Sequence, residues 1–440
     1  MSKTFMAVAV SSALTLALGQ AQAQQAQAQQ AQPAQAGQAQ QAGPQWKDRA
    51  EYDLVQEIGK ATDGAKKLAL LDDWTKKYPN TDFKVARMVQ YLEAYRLLNQ
   101  RDKMLETAKQ ILAEDPKNLT AIYWTAIIVP MGNLSAEDSE FGARCARMLA
   151  DDLESLRPAG VADDAWKQTK DAMKLDAVGQ RALGYLAMQA KDYVEAERRL
   201  RANLELNPAD AEGAYWLGSS LIGQKKVELQ SDALFFIARA AAYDGPGAVD
   251  EARRKTLLEY VTNAYNTYHG KDEAGLQELL ATAKANAMPP TGFKILSEAE
   301  VKEHQVQQIA ASDPAMALWI KLKDAAKADP NYFEAGMKGA LIPPEGEPPF
   351  RGTVISATPE RAPKEVVLAI SEPNTPEVTL KVIDTALPGP AAPGTTITFR
   401  GVATELIADP YMVTFEVERE HITGWPSSRP ATKKAAPKKK

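Results

Sequence analysis

The segments Leu183-Gly184-Tyr185-Leu186 and Leu217-Gly218-Ser219-Ser220 carry the same Leu-Gly pair 34 residues apart, and that step decides how the middle of the chain is read. After the first pair, Ala196 follows Gly184 by 12 residues, Leu200 comes four later, and Pro208 eight after that. A small residue on each of two successive helices lets them approach closely, and a large one fills the space between. Proline then stops the second helix, because it lacks an N–H and clashes with the preceding turn. The second copy keeps Trp216-Leu217-Gly218 and places Ala233 and Ile237 three residues late. Its longer 223–232 segment accommodates the shift. Recurrence at such a period marks an array of stacked units.

Working outward, residues 46–341 read as helix interrupted by stops such as Tyr78-Pro79, Asp115-Pro116, Asn207-Pro208, Asp313-Pro314 and Asp329-Pro330. A residue before proline resists the α region, so helices of about 12–18 residues alternate with turns and form hairpins. A weaker copy spans 85–116, with Ala108 where a large residue is expected.

On Leu183, Gly184, Ala196, Leu200, Pro208, Leu217, Gly218 and Ala233 the chain resembles the tetratricopeptide repeat (TPR) family, specifically over 177–244 and loosely over 47–176 and 245–340. The resemblance implies a mainly α fold, a TPR-like α-solenoid binding a protein or peptide along the first helix of each unit. It carries the groove onto Arg181, Tyr185, Met188, Tyr215, Ser219 and Ile222. Glu212 stands at an early groove position where a clamp for carboxylate termini would need a cation.

At the proline-rich 342–349 the composition changes abruptly. Strands are expected over 350–356, 365–370, 377–383, 395–406 and 411–420, with Val378, Leu380 and Val382 on one face. Five short strands suit a small OB-like β-barrel over 350–426 better than a seven-stranded sandwich. That region holds ten acids against six bases and few aromatics, a balance that argues against nucleic-acid binding.

The ends are distinct. Residues 1–23 read as a cleaved signal: Lys3, an apolar run over 5–18, then Ala21-Gln22-Ala23. No cysteine follows, which excludes a lipobox, and no later stretch is long enough to cross a membrane. The expected location is therefore periplasmic or secreted. Residues 24–45 form a Gln/Ala-rich spacer, and 427–440 a tail in which Arg429 and five lysines from Lys433 to Lys440 meet no acid. Such a tail suits attachment to an anionic surface.

No phosphate-cradling glycine loop, nucleophile elbow or metalloprotease pair occurs. One cysteine and three dispersed histidines supply neither a disulfide nor an evident metal site. Catalytic residues, metals and cofactors are therefore not expected. The expected function is a non-catalytic scaffold. A tail-anchored structural protein and an enzyme using unrecognised acids are the alternatives.

Overall fold

The computed structural model describes residues 44–132 and 134–426. The expected signal, the expected spacer up to residue 43 and the basic tail lie outside these residues. The described chain divides into two units, at Ile295 and Leu296.

The first unit is helical. Its helices are α1 (Arg49–Lys60), α2 (Gly64–Lys77), α3 (Lys84–Leu97), α4 (Arg101–Glu114), α5 (Leu119–Ile128), α6 (Ala136–Ala150), α7 (Asp163–Met173), α8 (Leu175–Gln189), α9 (Tyr193–Leu206), α10 (Ala211–Gly223), α11 (Gln230–Ala242), α12 (Glu251–His269) and α13 (Glu273–Ala285). Aspartate, asparagine or serine repeatedly opens them. Asp48, Asp63, Asn118, Ser135, Asp192, Asp210 and Asp250 each accept a backbone N–H from the first turn. Each cap satisfies a donor that the helix itself leaves unpaired.

The repeat positions behave as their sizes require. A Cβ on Gly184 would lie 2.6 Å from Leu200 Cγ, and one on Gly218 would lie 2.7 Å from Ile237 Cγ1. The same small-on-large contact therefore closes both the α8–α9 and the α10–α11 hairpin. Leu183, Ala196, Leu200, Leu217 and Ala233 are buried, whereas Pro208 is exposed at the turn. Successive buried clusters run along the chain, from Ile58, Leu71 and Trp74, through Leu92 and Ile111, to the α8–α13 core around Phe235 and Phe236. The boundary between α7 and α8 is one residue, Lys174, in the left-handed conformation (φ 51°).

The second unit places α14 (Glu298–Ser312) and α15 (Pro314–Ala328) before an eight-stranded curled sheet. Asp313 ends α14 and caps α15, with Pro314 in the first turn, so one Asp-Pro both stops and restarts a helix. The strands are β1 (Leu341–Ile342), β2 (Phe350–Thr358), β3 (Glu365–Ala369), β4 (Val378–Val382), β5 (Thr396–Phe399), β6 (Gly401–Ala408), β7 (Tyr411–Val417) and β8 (Ile422–Thr423), in the order β1-β6-β7-β4-β3-β2-β5-β8. β4 and β7 are parallel and the other pairs antiparallel.

Two expectations change here. The helical array was placed up to 341, but α15 belongs with the sheet. Trp319, Leu322 and Ala326 share one core with Phe350, Val366, Leu380, Phe399 and Phe415. A helix-period pattern upstream of a linker does not reveal which core its apolar stripe enters. The expected fourth strand is broken at Arg400 into β5 and β6, and two-residue strands β1 and β8 extend the sheet, giving eight strands in place of five. A Cβ on Gly401 would fall 2.5 Å from Val417 Cγ2, so glycine permits the close approach beside the break.

Candidate peptide-binding face

Asp210 organises the centre of the helical unit. As the cap of α10 it accepts from Gly213 N at 3.0 Å, from Asn203 Nδ2 of α9 at 2.8 Å and from Arg181 Nε of α8 at 2.9 Å. The carboxylate is buried, so these three donors replace the water it gives up. Arg181 also lies over the Trp216 ring, its guanidinium carbon 4.4 Å from the centroid. Tyr185, one turn further along α8, meets the same ring at 5.0 Å.

A parallel arrangement joins α10 to α12. Arg253 donates to Glu212 at 2.7 Å and sits 5.0 Å over the Tyr215 ring. Burial raises the Glu212 carboxyl above its ordinary range, and Arg253 and Arg181 work against that rise. Arg181, Tyr185 and Met188 on α8, and Tyr215, Ser219 and Ile222 on α10, are all half-buried. The Arg181–Trp216, Tyr185–Trp216 and Arg253–Tyr215 contacts bring α8, α10 and α12 onto one connected face. Ser219 Oγ donates back to the Tyr215 carbonyl at 2.9 Å, which occupies its proton but leaves the oxygen able to accept.

Each cation of this face is neutralised in place, Arg181 by Asp210 and Arg253 by Glu212. The chemistry left to a ligand is therefore stacking, apolar contact and neutral hydrogen bonding. Trp216, Asp210 and Arg253 were not among the sequence-derived groove positions. Trp216 is 6% exposed and supports the face from beneath, and Arg253 lies beyond the segment where the repeat spacing is regular. The Asp250 cap, three residues upstream, was the available signal that Arg253 opens another helix.

Other residues weighed for chemistry sit elsewhere. Cys145 is buried, and desolvation pushes its thiol up to about 11, the opposite of a reactive thiolate. His269 closes α12 beside Asp272, at 3.5 Å, and His421 lies in a short turn before β8. Among the described residues no group of three His, Cys, Asp or Glu could hold a metal, and no helix is long and apolar enough to cross a membrane.

In the second unit the buried charge is concentrated at one place. Lys323 Nζ of α15 reaches Glu377 Oε1 at 2.5 Å, Glu372 at 2.9 Å and Ser371 Oγ at 3.1 Å. Glu377 also accepts from the backbone N–H groups of Ile370 and Ser371, at 2.8 and 2.5 Å. Burial opposes the Lys323 charge, but its contacts with Glu377 and Glu372 outweigh that and raise its pKa. A lysine held protonated cannot serve Ser371 as a general base, so this Ser–Lys contact is a structural pin.

No known protein family matches the chain, and no characterised protein does. Among solved structures, it is similar to a thermophilic TPR protein from Thermus thermophilus, at 14% identity and a TM-score of 0.27, over 49% of this chain and 95% of that one. A likeness of that size is too loose to carry the fold, which rests on the packing described above.

Proposed function

We propose that the protein is a non-catalytic scaffold of the cell envelope whose helical unit holds an extended, largely uncharged peptide segment of a protein partner. The observation that carries this is the connected face of α8, α10 and α12. Arginine, tyrosine and tryptophan stack there across three helices, and these residue types dominate the energetic centres of protein interfaces. Export to the periplasm or beyond rests on the signal-like residues 1–23, and the basic tail suits contact with an anionic surface.

We read the curled sheet as a small OB-like barrel. Strand pairing runs from β2 through β3, β4 and β7 to β6, and the bent β6–β5 segment pairs again with β2. That ring of pairs, with its one parallel contact, is what supports the reading. Its acidic balance assigns it to protein or polymer contact rather than to nucleic acid.

The test is an affinity pull-down with residues 24–440 from envelope extract, beside a Tyr185→Ala/Tyr215→Ala/Ile222→Ala variant. Arg181 is left intact because it neutralises Asp210. Loss of the captured partners with unchanged melting supports the face. Retention of the same partners overturns it.

A further inference from the structure

We draw no further inference here: the strongest candidate, the small apolar cavity of about 90 Å³ between the α3–α4 turn and the end of α5, lined chiefly by Met104, Trp124, Ile127 and Ile128, carries nothing, because its Arg96 and Arg101 are already engaged by Glu93 and the Met131 carbonyl and nothing in the structure shows what covers it.

Discussion

The two units solve the same problem differently. In the helical unit, charged contacts link residues about one repeat apart: Arg181 to Asp210, Arg201 to Asp232, Lys109 to Asp138, and Arg239 to the Pro208 carbonyl. Each ties one hairpin to the next and leaves the rest of the array untouched. The sheet unit relies on a contact that is non-local, between Lys323 on α15 and Glu377 before β4. Distributed ties make stability a sum of neighbour terms. A single pin makes it depend on one place.

The sharpest way to break that contrast is at the pin. Removing one partner leaves a buried charge uncompensated, so Glu377→Ala or Lys323→Ala should cost about 3–5 kcal/mol. Hydrogen exchange should show lost protection in β3, β4 and β7 and none in α1–α9. Replacing both residues by leucine should recover most of the loss, because an apolar pair of similar size needs no compensation. A uniform loss of protection across both units would erase the distinction.

Next in size is Asp210, the tie with the most donors. Asp210→Ala strands Arg181 and Asn203 and removes the α10 cap, costs that together amount to about 2–4 kcal/mol. The loss of protection should be confined to α8–α11. Asp210→Asn keeps the cap through its Oδ1, but its amide NH2 replaces the oxygen that accepts from Asn203 and Arg181, so it should recover only the cap's share, about 1 kcal/mol. Smaller again is Gly184→Ala. Its Cβ would meet Leu200 at 2.6 Å, an overpacking worth about 1–3 kcal/mol, read as a drop in melting temperature. Gly184→Ala with Leu200→Ala should recover little, because the cavity replaces the clash.

How much of this could be read beforehand follows from the range of the interactions. The hairpins, their Asp-Pro stops and the roles of Gly184, Leu200 and Pro208 were legible, because spacing along one helix pair fixes them. Likewise the Val378–Leu380–Val382 and Val413–Phe415–Val417 faces were legible from alternation, and all six residues are buried. The assignment of α15 to the sheet was not, since an amphipathic helix carries no mark of its partner. Nor was Lys323–Glu377, where the residues are 54 positions apart. At the candidate face the groove positions were what the resemblance to the tetratricopeptide family implied, while Trp216 as the shared platform and Arg253 as its third helix emerged only from packing. Neutralisation of both arginines also lay beyond a single hairpin's pattern.

The smallest effect is also the one that best separates distributed ties from a pin. Glu195 on α9 accepts from Arg198 and Arg199, which together hold its carboxyl down at about 2, and Arg199 continues to Asp151 at 2.6 Å. A carboxylate depressed in the folded state contributes stability that is complete above its unfolded value, near 4.5, and is lost as pH falls toward about 2. Glu195 is more than a third exposed, so solvent screening limits the contribution to about 1 kcal/mol or less. Glu195→Gln should therefore melt slightly lower than the parent at pH 7 and converge with it near pH 2, and the difference should shrink in high salt. Glu377 is depressed too, against the opposing pull of its own burial and through Lys323, Ser371 and the backbone donors. Because it is shut away from water, acid should unfold the sheet unit with little sensitivity to salt. Two acid transitions, one salt-sensitive and shallow in the helical unit and one salt-insensitive and cooperative in the sheet unit, are the expected record. A single transition with one salt dependence would mean that the two units share their electrostatics after all.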